Sequence, residues 1–153
     1  HAMLVFFRSV NPNNSWVTAT GALLDAANLR MSAIDSAGDG NSAAWMFLQA
    51  GTSILRRIAG FFQISTADEE SSVSRAEFDA VLAELETAGV PLVPDRDQAW
   101  DRFTRRRAAY DSALLGLASL VDAPPAEWSS DRSPPLRMPP IFLPRNAERS
   151  RKE

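Results

Sequence analysis

The stretch "WDRFTRRRAAYDSALLGLASLV", Trp100 to Val121, decides how the rest of the chain is read. Trp100, Phe103, Arg107, Tyr110, Leu114, Leu117 and Val121 follow one another at alternating steps of three and four, the spacing of a heptad seam on a helix. Asp95 and Gln98 stand at capping-box spacing just ahead of it, so the pattern predicts one helix over 96–122. One member of the seam is an arginine. An arginine in an apolar seam either snorkels outward or meets a carboxylate in a partly buried pair, and Asp25 is a partner that the sequence offers. The functional alternative is that Arg107 holds a small anion at a helix junction, with the Tyr110 hydroxyl as a second donor.

Working outward, Ser74 and Glu77 form a capping box that opens a helix over 74–88 with Phe78, Val81, Leu82 and Leu85 inward, and Gly89 before Val90-Pro91 stops it. Upstream, "AAWMFLQAGTSILRRIAGFF" lies in a helix predicted at 42–64. Its polar positions Gln49, Ser53, Arg56, Arg57 and Gly60 form a narrow stripe, the pattern of a helix buried on most of its circumference. A first helix over 15–35 begins at a cap, Asn14 or Ser15, and carries Trp16, Thr20, Leu23, Ala27, Met31 and Ile34 at helical spacing. A turn at Gly38 to Asn41 and the polar linker "STADEESSVS" separate these elements. No period-two strand pattern is convincing outside Leu4 to Phe7. The expected fold is all-α, a four-helix bundle-like domain over 4–122, after a His-Ala-Met start at 1–3 that reads as a cloning scar. From Ala123 the composition changes: seven of the ten prolines lie in 123–153, which predicts an extended Pro-rich C-terminal tail. Within it Ile141, Phe142 and Leu143 are candidates to dock in a groove of this domain or of a neighbour.

Composition narrows the chemistry. With 153 residues, 45% of them apolar, the chain can build one core of ordinary size. A net charge of -3 gives no reason to approach nucleic acid. There is no cysteine, and the only histidine is His1, so thiolate and histidine catalysis and the usual zinc ligands are left out. No apolar run reaches the roughly 20 residues of a membrane span. Walker, GxGxxG and GxSxG sequences are missing, and the carboxylate pairs Glu77/Asp79 and Glu84/Glu86 are two apart on a helix and do not share a face. Neither a cofactor nor an enzyme activity is expected. Arg102, Arg105 and Arg106 beside Arg107, with Arg56 and Arg57 elsewhere, read as solvated faces or as contacts to anionic lipid head groups. Trp16, Trp45 and Trp100 sit on apolar stripes, and Trp128 is placed to anchor the tail.

One resemblance adds a location. "FFRSVNPNNSWVTATGALLDAA", Phe6 to Ala27, resembles the start of the cytoplasmic C-terminal region of bacterial two-transmembrane potassium-channel-family proteins. The later pieces "RAEFDAVLAELETAGVPL", an Ala-Trp before an aromatic, an arginine three residues ahead of Tyr-Asp, and "DAPPAEWSS" follow in order. The matches fall on Phe7, Arg8, Ser9, Asn14, Ser15, Trp16, Leu24, Asp25, Phe78, Gly89, Val90, Trp100, Phe103, Arg107, Tyr110, Asp111 and Trp128. The resemblance implies a non-catalytic assembly or regulatory domain on the cytoplasmic side of the bacterial inner membrane, part of a homo-oligomer that meets its copies through helix faces. Phe6, Phe7 and Arg8 would then form the membrane-proximal connection to an upstream transmembrane region. This sequence holds no pore helix or selectivity filter, so conduction would belong elsewhere. The rival expectation is a helical sensor module that binds a small anion against Arg107.

Overall fold

The Ser15 hydroxyl accepts the Thr18 amide and starts α1, Trp16–Ser32. The computed structural model describes residues 15–35, 40–66 and 70–132, and among these the fold is an all-α bundle. Phe6, Phe7 and Arg8, and Ile141, Phe142 and Leu143, lie outside the described residues. After α1 come α2, Gly40–Phe61, α3, Arg75–Thr87, α4, Arg96–Ala108, and α5, Asp111–Leu120, followed by a 3-10 turn at Ser130–Arg132.

Among the described residues five α-helices stand where four were expected, because the helix read over 96–122 is interrupted at Ala109 and Tyr110. There the Tyr110 amide bonds back to the Arg107 carbonyl, three residues earlier, and its backbone leaves the helical region at φ -127 and ψ -7. The seam survives the break, but its halves enter two cores. Phe103 joins Ala33, Val73, Phe78, Leu82, Ala99 and Trp128. Tyr110, Leu114, Leu117 and Val121 join Val17, Leu24, Leu48, Leu55 and Phe62. Arg107 lies between the halves.

Three of the stops follow one backbone rule. Gly89 takes φ 78 while the Val90 amide bonds the Leu85 carbonyl; the same six-to-one closure ends α2 at Gln63 and α5 at Asp122. Between elements, the chain after α1 zips to the loop between α3 and α4: Asp35 donates to the Pro91 carbonyl and Val93 to the Ala33 carbonyl, both at 2.9 Å. α1 packs against α2, α4 and α5. Gly51 makes the first of these contacts possible, since a Cβ there would sit 2.6 Å from a methyl of buried Leu24.

Two expected faces are corrected. On α1 the buried stripe is Val17, Gly21, Leu24, Asp25, Asn28 and Ser32, one step round from the apolar stripe, and Leu23 is exposed. Counting apolar residues misses this face because half of it is polar. Nor is α2 buried all round. Ala44, Leu48, Leu55 and Ala59 face the core, while Trp45, Met46, Phe47, Ile54 and Phe61 are exposed. The two neighbours Leu55 and Ile54 therefore separate by experiment. In denaturant unfolding of dilute protein, Leu55→Ala should cost about 2 to 5 kcal/mol, the range for a buried large-to-small change. Ile54→Ala should change stability by less than about 0.5 kcal/mol, as for other surface positions.

Candidate functional site

Between the two apolar cores lies a polar layer. Its centre is Arg107, which is fully buried. Nε donates to Asp111 Oδ1 at 2.6 Å, Nη1 donates to Asp25 Oδ1, and Nη2 donates to the Trp128 carbonyl. The Tyr110 hydroxyl donates to the same Asp25 oxygen at 2.6 Å, and the guanidinium lies 5.1 Å from the Tyr110 ring centroid. Asp111 also accepts the Ser72 amide on Oδ2 at 2.8 Å and the Ser72 hydroxyl on Oδ1 at 3.0 Å. Each contact comes from a different part of the chain: α1, the α4–α5 break, the linker before α3, and the segment after α5. Asp111 also occupies the first turn of α5, where the helix dipole favours a carboxylate.

A second polar chain runs beside the first. Arg106 Nη1 donates to the Ser32 hydroxyl at 2.8 Å, Ser32 donates to Asn28 Oδ1 at 3.1 Å, and Asn28 Nδ2 donates to the Phe103 carbonyl at 2.9 Å. Among the described residues no buried side-chain nitrogen or oxygen lacks a hydrogen-bond partner. The layer is closed upon itself.

Its electrostatics follow from one cation and two carboxylates out of water. Burial works against the charge of Arg107, but Asp25, Tyr110 and Asp111 outweigh it and raise its pKa. Burial likewise raises Asp25 above the ordinary carboxylate range, with Arg107 and the Tyr110 hydroxyl opposing it. Burial, then the Asp25 charge, push the Tyr110 phenol well up, so it stays a donor. The guanidinium keeps its charge, and Asp25 is the group whose charge the surroundings oppose.

The structure thus brings Arg107, Tyr110 and Asp25 together, as two readings of the sequence required, and it separates those readings by what else is present. Three guanidinium nitrogens already donate to protein oxygens, and two carboxylates share the layer. A bound anion there would meet repulsion from Asp25 and Asp111 and find no free face of Arg107. These contacts favour the structural reading of Arg107. Asp111 was the missed partner as a site residue, although four residues from Arg107 it stands at the spacing at which helical side chains meet. Asn28 and Ser32 were missed as well; their steps of three and four from Asp25 were the available signal.

Elsewhere a cleft of about 610 Å³ is lined by Arg56, Arg105, Glu70, Trp100, Thr66 and Thr104, among others. Its charges are mixed and Arg107 does not reach it. Among the described residues no group of three His, Asp or Glu side chains is placed to hold a metal ion, and no helix is long and apolar enough to cross a membrane.

The segment after α5 is clipped to the body by a surface ion pair. Arg132 donates to Glu77 Oε1 at 2.5 Å and to the Ser72 carbonyl at 2.8 Å, while Glu77 completes the capping box of α3 by accepting the Ser74 amide at 2.7 Å. Trp128 is buried against Phe103 with ring centroids 5.6 Å apart, which gives it the anchoring place expected of it. The chain matches no protein-family model, and no curated protein or solved structure matches it.

Two outcomes follow from the polar layer and its clip. Arg107→Ala leaves Asp25 and Asp111 facing each other in a dry site and should cost about 3 to 5 kcal/mol in denaturant unfolding. Added phosphate, nucleotides or carboxylates should not restore the loss. The Arg132 and Ser74 bonds hold Glu77 at a pKa of about 2, below its ordinary 4.5, so its contribution is present above 4.5 and is lost as pH falls toward 2. The melting temperature of Glu77→Gln should therefore fall less steeply than that of the parent across this window.

Proposed function

We propose that the chain is a non-catalytic assembly or regulatory domain, the cytoplasmic part of a bacterial potassium-channel-like membrane protein. The observation that carries the reading is the outer face of α2, where Met46, Phe47, Ile54 and Phe61 are exposed on a domain whose charged centre is internally satisfied. Large contiguous apolar patches on a soluble surface mark interaction sites. The polar layer in turn holds α1, α4 and α5 in one register, so that a displacement at the start of α1 would be carried to the rest of the domain. The resemblance of Phe6 to Ala27 supplies the membrane side, with Phe6, Phe7 and Arg8 as the connection and homo-oligomeric contact through helix faces as the mode of action. No nucleic acid or cofactor enters the reading.

Fractionation of the cells that make the protein tests the membrane part. An antibody to this domain should detect the native product in the membrane fraction, retained after a high-salt wash, at a mass well above 16.7 kDa. A native product of this mass in the soluble fraction would remove the channel-like reading.

A further inference from the structure

The exposed side of α2 has an order of its own. Phe47, Ala50, Ile54, Arg57 and Phe61 recur at steps of three, four, three and four, a second heptad seam on the side away from the core. Phe47 is 42% exposed, Ile54 56% and Phe61 62%, and Met46 borders the stripe at 70%. Leu23 on α1 is also exposed, at 58%, and its neighbour Leu24 packs on Gly51 of α2.

We infer that this face is the contact surface for a second copy of the same chain, joined through α2 helices that run antiparallel about a two-fold axis at Ile54. The inference deepens the assembly reading above and rests on its interaction part, not on its membrane connection.

Three features select a copy of this chain, in that orientation. The first is the symmetry of the stripe. Phe47 and Phe61 each lie seven residues from Ile54, about 10 Å along the axis at 1.5 Å per residue. An antiparallel partner then sets Phe47 over Phe61 twice and Ile54 over Ile54 once, a self-complementary surface of the kind a two-fold dimer needs.

Charge is the second. α2 contains no acidic residue, and its only charged side chains are Arg56 and Arg57. A parallel pair would set Arg57 against Arg57 in an apolar seam. The antiparallel pair brings Arg57 beside Ala50, one residue off level, whose small side chain leaves room for the stem to pass and the head to reach water.

The third is area. With a whole aromatic side chain at roughly 150–250 Å², the exposed parts of Phe47 and Phe61 together with Met46, Ile54 and Leu23 come to on the order of 500 Å² per copy. Two copies would remove about 1,000 Å² from water, the size at which a specific interface becomes credible.

The absence of cysteine from the sequence makes the register directly testable in the full chain. Sedimentation of the purified protein from micromolar to millimolar concentration should show a mass rising from one chain to two. Ile54→Asp should hold it at one chain with unchanged helical circular dichroism, since Ile54 is exposed and belongs to neither core cluster. Under mild oxidation Ile54→Cys should cross-link to itself. Phe47→Cys and Phe61→Cys should each remain uncross-linked alone and join when mixed. A mass of one chain at every concentration overturns the inference, whether residues 133–153 or a lipid surface covers the face instead. Self-cross-linking of Phe47→Cys and Phe61→Cys, each alone, overturns it in favour of a parallel pair. Neither result bears on whether the native protein is found in membranes, so the two readings fail separately.

Discussion

A guanidinium with no exposure to water has few permitted surroundings, and Arg107 imposes them on the domain. Taking an ion of this size from water costs several kcal/mol even after relaxation, so the charge must be met by well-placed acceptors. Here they come from Asp25 on α1, Asp111 at the start of α5 and the backbone of Trp128. Satisfying one side chain thus fixes the relative position of three segments far apart in the chain. A slip of α1 by one turn would keep many apolar contacts and leave two carboxylates and a cation misaligned. Apolar packing alone tolerates such shifts; a desolvated ion triad with Tyr110 and Ser72 attached does not.

The same constraint accounts for other features of the fold. The break at Ala109 and Tyr110 places the Asp111 carboxylate within 2.6 Å of Arg107 Nε at the first turn of a new helix. The buried face of α1 carries Asp25, Asn28 and Ser32 because that side serves the polar layer, and Leu23 on the more apolar stripe is left exposed. The core divides into two clusters, and Arg107 touches a member of each, Tyr110 in one and Trp128 in the other. With this much of the interior given to polar groups, part of the chain's apolar surface is left outside.

That distribution supports a division of labour. The inside is a network in which, among the described residues, every buried side-chain nitrogen and oxygen has a partner, which suits a rigid body. The outside carries an ordered apolar stripe on α2, which suits contact. Convergent polar groups on a cavity are the usual mark of a small-molecule site. The cleft beside Arg56 and Arg105 has polar groups, but its charges are mixed.

By itself the sequence determined the helical class, the capping box at Ser74 and Glu77, the stop at Gly89, and the anomaly of an arginine in an apolar seam with Asp25 as its candidate partner. These depend on backbone groups and side chains within a few residues of one another, or on the rule that a buried charge needs a partner. Tertiary structure alone decided that the seam breaks at Tyr110, that α1 buries its polar side, and that α2 turns Phe47, Ile54 and Phe61 outward. Each depends on groups distant in the chain: Asn28 answers the Phe103 carbonyl 75 residues away, and Arg107 reaches Asp25 across 82. Periodicity reports that a helix has an apolar stripe. It does not report which stripe is buried when two are available, because that choice belongs to the free energy of the assembled domain, and here the desolvated charge of Arg107 tips it.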